Sequence, residues 1–237
     1  MKNDAKYSFP QPFSFVDTVI LSIIDERLKV LLVKRDPGIS EPFAGWWALP
    51  GGFVDVDRDR TLEQCALRKL KEKTGVSGPY LEQVGSWGSA DRDPRGWSVT
   101  HVYVALLSGA PALQPGGNAD DAEWAAIGDS GVDRPLAFDH AELLSATLER
   151  VRSKTEYTSL PAQFLPETFS LSEIQRVYEI VLGRKLDKKA FRTRVLAVPL
   201  LEETAERKST GRRPARLYRL ARGKELVYFA RTFTGNG

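Results

Sequence analysis

The segment from Gly51 to Val76 constrains the fold most strongly, because it places a glycine turn directly before an amphipathic helix. The Thr61 hydroxyl can cap the first turn, while Gln64, three residues later, reaches back as in a capping box. The apolar face of this helix consists of Leu62, Cys65, Ala66 and Leu70. The sequence therefore predicts a Pro50-Gly51-Gly52 turn and a helix that starts at Thr61 and ends at Gly75.

Strand-like segments surround this helix. Two β-branched, apolar runs, 15–24 and 28–34, are separated by a polar turn and predict a hairpin. Further strand-like segments lie at 46–49, 81–87, 97–107 and around Trp124, and a second helix is expected over 139–155. This order of strands and helices predicts an α/β sandwich.

A change in charge divides the chain. Residues 1–158 hold 18 Lys or Arg and 23 Asp or Glu, whereas residues 159–237 hold 16 and 8. The segment 158–169 contains two prolines and no clear periodicity, so we expect the junction there, between domains 1–158 and 159–237. The positive excess of the second domain indicates a polyanion-binding function, and the alternative is a solvated basic surface.

The second domain has the pattern of a winged helix-turn-helix. Ser170 and Glu173 form a capping box that opens a helix, Gly183 ends it, and Asp187 can cap a helix over 188–197. Strand-like residues at 200–201 and 216–220 flank a basic turn. Two helices followed by a basic hairpin predict DNA binding, and the alternative is a helical interaction module with a solvated basic face.

Residues of the second of these helices are expected to reach base edges in the major groove. The candidates are Lys188, Lys189, Arg192, Thr193 and Arg194. Basic residues of the hairpin are expected to contact phosphates, which adds affinity and salt dependence without reading sequence. These candidates are Arg207, Lys208, Arg212, Arg213 and Arg216.

Aromatic and basic residues of the first domain suggest a ligand pocket. Four of the five tryptophans lie between positions 46 and 97, where they serve either as core or as flat faces for an adenine. Strand alternation places His101 on one face with Val99 and Tyr103, in a pocket or in an ordinary core or surface position. The candidate ligand-binding residues are Arg35, Trp46, Trp47, Gly51, Gly52, Arg92, Arg95 and His101, and solvated surface is the alternative for the arginines.

The segment 51–76 also resembles the Nudix hydrolase motif, G-x5-E-x7-R-E-U-x-E-E-x-G-U, in which U is a bulky apolar residue. The second half of the motif is matched by Arg68, Leu70, Glu72, Gly75 and Val76, and Leu49-Pro50-Gly51-Gly52 matches its entry turn. With the flanking strand order, the resemblance covers most of residues 13–155. It implies a Nudix α/β/α sandwich.

The departures from the motif concern its metal-binding glutamates. Three of them are replaced by Arg60, Lys69 and Lys73, and the loop before Arg68 is two residues too long. Magnesium prefers carboxylate oxygens, and hydrolysis needs the metal to generate hydroxide, so we expect neither a metal site nor turnover. Asp55, Asp57 and Asp59 of the lengthened loop are the alternative metal ligands, in which case the chain is a hydrolase of ADP-ribose or a related nucleoside diphosphate with an accessory domain.

The combination of a degenerate Nudix domain and a winged helix resembles the Nudix-related transcriptional repressors of NAD metabolism in bacteria. The resemblance implies a homodimer that binds double-stranded operator DNA and represses genes of NAD biosynthesis. It also implies that ADP-ribose acts as an effector that releases the DNA, and that no cofactor is needed. The loop DRDPRG, which holds Arg92 and Arg95, resembles loops that handle ADP-ribose in Nudix proteins.

The remaining expectations concern location. No apolar run is long enough to cross a membrane, and the N-terminal residues carry charges where a signal peptide needs apolar ones. Cys65 is the only cysteine, which excludes an intrachain disulfide and fits a reducing compartment. We therefore expect a cytoplasmic protein without a membrane partner.

Overall fold

The structure is a computed structural model that describes residues 11–38, 42–113, 119–208, 214–221, 226–230 and 232–233. The elements of its N-terminal part are β1 (Phe13–Ile24), β2 (Arg27–Arg35), β3 (Trp47–Ala48), β4 (Gly51–Phe53), α1 (Leu62–Thr74), β5 (Tyr80–Ser89), β6 (Ser98–Leu107), β7 (Ala119–Ala126) and α2 (His140–Thr155). The elements of its C-terminal part are a 3-10 helix (Leu160–Phe164), β8 (Phe169–Ser170), α3 (Leu171–Leu182), α4 (Lys188–Leu196), β9 (Leu201–Lys208) and β10 (Ala215–Leu220). No helix in the described ranges is long and apolar enough to cross a membrane.

The N-terminal strands form one mixed sheet around β1. This strand runs parallel to β6 and antiparallel to β2 and β4, in the order β3-β2-β1-β6-β5, with β7 beside β2. The helices cover opposite faces, because Val16 of β1 packs with Cys65 of α1 whereas Val19 packs with Leu143 of α2. The predicted α/β/α sandwich is therefore confirmed.

Helix α1 has the predicted ends but only half of the predicted capping box. The N–H of Gln64 donates to the Thr61 hydroxyl at 3.1 Å, whereas the Gln64 side-chain oxygen accepts from the N–H of Arg60 at 3.0 Å. Gly75 ends the helix in the left-handed conformation, with φ of 68°. The cap at Thr61 fixes where the helix starts relative to the loop before it.

The predicted glycine turn is corrected by the structure, because Gly51 and Gly52 lie in strand β4. They pair with Asp17 and Val16 of β1. A Cβ on Gly51 would collide with the Asp17 carboxylate, so the close approach of two strands requires glycine at this position.

The C-terminal part is a winged helix, as predicted. The Ser170–Glu173 capping box is complete, and the Asp187 side chain caps α4 by accepting from the N–H of Ala190 at 2.7 Å. Strands β9 and β10 pair as the wing, with β8 on the other side of β10. The predicted wing residues Arg212 and Arg213 lie outside the described residues.

Most apolar residues of the predicted junction are buried. Leu160 and Phe164 of the 3-10 helix lie in the main core beneath the sheet, whereas Phe169 lies in a second core within the winged helix. Helix α3 contributes to both cores, with Val177 in the first and Tyr178 in the second. The two domains are therefore packed together along α3, and segment 158–169 lacks periodicity because its apolar residues serve two cores.

The chain after the wing returns to this junction. The N–H of Phe229 donates to the Tyr157 carbonyl at 2.8 Å, and the N–H of Phe233 donates to the Glu156 carbonyl at 2.9 Å. The Phe233 ring stacks with the ring of Phe191 on α4, with centroids 5.6 Å apart. This segment links the end of α2 to α4.

Candidate ligand and DNA-binding sites

An arginine rests on a cluster of three aromatic rings beside β1 and β4. The rings of Phe15 and Phe53 lie 4.4 Å apart between centroids. The Arg95 guanidinium carbon lies 5.6 Å from the Phe15 centroid, 5.5 Å from that of Phe53 and 5.8 Å from that of Phe138. Rings and guanidinium groups both offer flat surfaces to a base. Arg95 is held in place by hydrogen bonds of 3.0 and 2.8 Å to the buried Asp93 carboxylate and by cation–π contact with the rings. Its side chain remains 27% exposed.

Arg92, the other arginine of this loop, is buried in an ion-pair network. Its guanidinium donates two hydrogen bonds of 2.9 Å to the Asp139 carboxylate, which directly precedes α2, and lies 3.8 Å from the Asp17 carboxylate. This arrangement attaches the β5–β6 loop to the start of α2. The structure therefore gives Arg92 a role in positioning the loop.

His140, the first residue of α2, completes this network. Its Nδ1 accepts the N–H of Leu49 at 2.9 Å, and burial lowers the pKa of its imidazole. The sequence did not identify Asp17, Asp139 or His140 as site residues. Asp139 stands at the start of a helix, a position that could have marked it as a functional candidate. The approach of Asp17 to Arg92, in contrast, depends on the fold alone.

The adjacent tryptophans point in different directions. Trp46 is 42% exposed and meets the ring of Phe43 edge-on at 5.4 Å. Trp47 packs against the main core and beneath the Arg134 guanidinium, 5.2 Å from the ring centroid. Arg35 lies beside Trp46, with its guanidinium carbon 4.8 Å from the Phe138 centroid. Arg35, Trp46 and Arg95 are therefore brought together around Phe138 and its neighbours.

His101 is not brought together with Arg92. It shares a sheet face with Tyr103, which packs against Cys65 of α1, whereas the next-door Thr100 faces the opposite way and donates to Asp17 at 2.7 Å. The Nδ1 of His101 lies 2.8 Å from the Ser86 hydroxyl, and burial lowers its pKa. The predicted ligand residues therefore divide between the two faces of the sheet.

The residues that replace the motif's glutamates lie along α1 and the loop before it. Lys69 approaches the backbone of Gly52, where a Cβ would lie 3.0 Å from the lysine Nζ. Glu72 pairs instead with Arg68 at 3.2 Å and Arg58 at 3.6 Å. In the described part of the chain, no three His, Cys, Asp or Glu side chains form a group that could hold a metal ion.

The outer face of α4 carries part of the predicted DNA-binding set. Lys188, Lys189 and Thr193 are exposed, whereas Phe191 and Val195 are buried against α3. Arg192 lies on the flank and donates to the Ser172 hydroxyl at 3.3 Å. The outer face of α4 is therefore polar and cationic, and α4 is the helix that winged-helix domains place in the major groove of DNA.

Other predicted DNA contacts have partners within the protein. Arg194 donates to the Thr232 carbonyl at 2.6 Å and lies over the Phe233 ring, so it faces away from the outer face of α4. Lys208 pairs with Glu173 and Arg216 with Glu203, both in exposed positions. Such exposed pairs contribute little energy and can exchange their partner for a phosphate.

Comparisons with known proteins find a matching family for both the N-terminal and the C-terminal part of the chain. Residues 14–147 match the NUDIX domain, and residues 161–220 match the NrtR DNA-binding winged helix domain. A relative from Acinetobacter baylyi, the ADPR responsive transcriptional repressor NtrR, is 46% identical over 216 residues, which are 91% of this chain and 85% of the relative.

Two solved structures from Shewanella oneidensis are similar to this one. NrtR complexed with a 27mer DNA matches with a TM-score of 0.80 and 40% identity, over 92% of this chain and 98% of that chain. The NUDIX domain of NrtR complexed with ADP ribose matches with a TM-score of 0.57 and 44% identity, over 63% of this chain and 94% of that chain.

Proposed function

Because the chain belongs to the NrtR family of Nudix-related transcriptional regulators, we propose that it is a repressor that binds operator DNA and releases it when ADP-ribose binds. Its Nudix domain covers residues 1–158 and its DNA-binding domain residues 159–237. The target genes are those of NAD metabolism, as the family resemblance implies. The observation that carries the proposal is the packing of a winged helix with a cationic outer face directly onto a Nudix core.

Helix α2 supports coupling between the two functions. Its first turn takes part in the network of Arg92 and Asp139, beside the aromatic cluster. At its other end, Glu156 accepts two hydrogen bonds from Arg184, of 2.9 and 3.1 Å, in the turn between α3 and α4. A rigid helix with one end at each domain is a physical connection through which ligand binding can change the placement of α4.

The proposed repressor acts as a homodimer in the cytoplasm. Two copies of α4 then contact half-sites separated by roughly one DNA turn, about 34 Å. ADP-ribose weakens DNA binding if it favours a dimer in which this separation differs. ADP-ribose is an effector in this scheme, and no cofactor takes part.

The Nudix domain binds ADP-ribose without hydrolysing it in this proposal. Arg60, Lys69 and Lys73 support this, because they stand where the motif's metal-binding carboxylates are expected. An assay for AMP formation from ADP-ribose with magnesium or manganese distinguishes the repressor from a hydrolase. Turnover at an ordinary enzymatic rate of about 1 per second or more would support the hydrolase.

Titration of labelled operator with the protein, with and without ADP-ribose, tests the coupling. We expect ADP-ribose to weaken DNA binding about 5- to 150-fold, which corresponds to a coupling of about 1–3 kcal/mol. Since coupling is reciprocal, DNA weakens ADP-ribose binding by the same factor. Unchanged operator affinity at saturating ADP-ribose would refute the regulatory part of the proposal.

Two substitutions separate base reading from phosphate binding. Lys189→Ala, on the outer face of α4, is expected to cost about 1–3 kcal/mol of operator binding and to relax sequence preference at one position. Arg207→Ala, in the wing, is expected to weaken binding to all DNA alike and to reduce the salt slope by about 1. Equal, sequence-independent losses for the two variants would make Lys189 a phosphate contact.

A further inference from the structure

Lys69, which replaces a metal-binding glutamate of the Nudix motif, lies over strand β4. Lys69 is on α1, and its Nζ and Cε would lie 3.0 and 3.7 Å from a Cβ on Gly52. Gly52 has φ of 139°, so both its backbone conformation and its closeness to Lys69 disfavour a side chain. The Lys69 ammonium group therefore lies next to the Gly52 backbone, and both residues are partly buried.

The carboxylates around this lysine are engaged elsewhere. Asp59 is 2% exposed and forms two hydrogen bonds with the Arg68 guanidinium, of 2.7 and 2.6 Å. Glu72 lies between Arg68 and Arg58. Among the described residues, no salt bridge joins a carboxylate to Lys69.

A divalent cation of the kind that Nudix hydrolases use does not fit these residues. Magnesium needs several oxygen ligands, and here two lysines stand at motif positions that otherwise supply them. Asp55, another acid of the lengthened loop, accepts a hydrogen bond from the N–H of Asp57 at 3.2 Å and lies 4.0 Å from Arg58. The carboxylates of Asp55 and Asp59 therefore have partners within the loop and on Arg68.

The second lysine stands one helical turn from the first. Residues four apart on a helix are neighbours, so Lys69 and Lys73 bring two positive charges to the same side of α1. Burial lowers the pKa of Lys73, whereas the charge of Glu72 raises it and the charge of Lys69 lowers it. A diphosphate carries enough negative charge to interact with both ammonium groups.

We infer that Lys69 and Lys73 form a metal-free binding site for the diphosphate group of a nucleoside diphosphate, with the Lys69 ammonium in place of the metal ion. The inference rests on the proposed function, because it assigns the residues that hold the effector's diphosphate. An ammonium ion neutralises phosphate charge as a metal does, but it carries no metal-bound water to become hydroxide. Such a site therefore binds a phosphoanhydride and leaves it intact.

Calorimetric titration of the full-length protein with inorganic pyrophosphate and with ADP-ribose, both in EDTA, tests the site. We expect the wild-type protein to bind both ligands in EDTA. Lys69→Gln is expected to weaken both about 10- to 100-fold, which is the range for a hydrogen bond to a charged group. The matched control is Lys71→Gln, which removes the same charge from an exposed position on the same helix and should leave both affinities within about twofold.

Thermal unfolding of each variant shows whether a lost affinity reflects lost folding. Adenosine, a ligand without phosphate, is the control for binding that does not involve the diphosphate. The inference is overturned if Lys69→Gln binds ADP-ribose as the wild-type protein does, or if EDTA abolishes binding to the wild-type protein. An equal loss for Lys71→Gln also overturns it, since the effect would then be one of net charge. If the wild-type protein does not bind ADP-ribose at all, the proposed function fails, whereas binding of pyrophosphate alone would still support the lysine site.

Discussion

Asp59→Asn is expected to lower the free energy of unfolding by about 3–5 kcal/mol, because it leaves a partly buried arginine without its main partner. The Asp59 side chain is 2% exposed and that of Arg68 is 17% exposed. Asparagine keeps the shape of aspartate, so the loss is electrostatic and comes from the two charge-assisted hydrogen bonds to Arg68. Urea denaturation at pH 7 measures it.

The pH dependence of this loss follows from the same pair. The Arg68 guanidinium holds the pKa of Asp59 well below its usual range, assisted by the N–H of Asp55. Because the pKa of Asp59 is lower in the folded than in the unfolded state, its ionised carboxylate stabilises the fold above the unfolded pKa of about 4. This stabilisation is lost as the pH falls further. The difference between wild type and Asp59→Asn should therefore be complete at pH 6–7 and shrink below about pH 4.

Glu72→Gln is the matched control, since Glu72 is the other carboxylate on Arg68 but is 43% exposed. It should cost less than about 1 kcal/mol, as exposed ion pairs do. A loss of similar size for both variants, or a loss below about 1 kcal/mol for Asp59→Asn, would contradict the assignment of Asp59 as the main partner of Arg68.

Phe191→Ala is expected to lower the free energy of unfolding by about 3–5 kcal/mol and to remove operator binding. The Phe191 side chain is 1% exposed and packs against the rings of Tyr178 and Phe233. Its removal leaves a cavity between α3 and α4, so α4 loses the contacts that hold its outer face in place. Chemical denaturation and operator titration measure the two effects.

Leu196→Ala on the same helix is the control, because Leu196 is 52% exposed. Its effect on stability should stay within about 0.5 kcal/mol. Phe191 lies in the core of the winged helix, separate from the core beneath the large sheet, so Phe191→Ala should retain ADP-ribose binding. A variant that loses both ligands together would show that the two cores unfold as one unit.

Local features of this protein were predictable where the cause is local. Thr61, Gly75, Ser170 and Gly183 mark the helix ends because capping depends on a few neighbouring residues. Alternation placed His101 with Tyr103 correctly, since side chains of a strand alternate whatever its neighbours are. The Pro50-Gly51-Gly52 prediction was wrong in part, because the pairing of β4 with β1 joins segments about 35 residues apart.

The candidate site was less predictable, because its geometry depends on contacts between distant residues. Arg92 and Arg95 stand three residues apart in one loop, yet Arg92 is buried against Asp139 whereas Arg95 pairs with Asp93 and lies over three rings. Arg192 and Arg194 are both basic residues of α4, and the sequence does not distinguish them. In the structure, Phe233 returns to α4 and lies beneath the Arg194 guanidinium. Charge and spacing identified these arginines as candidates, but not the partner that each of them has within the protein.

By itself, the sequence determined the four α-helices and most strands, since these follow from local spacing and residue type. Its resemblance to the Nudix motif identified the bases that replace acids before and along α1. Only the tertiary structure decided that Lys69 lies over Gly52, that most apolar residues of segment 158–169 are buried, and that α3 belongs to two cores. The physical reason is that packing satisfies burial and charge across segments far apart in the chain, and no local pattern records which of them meet.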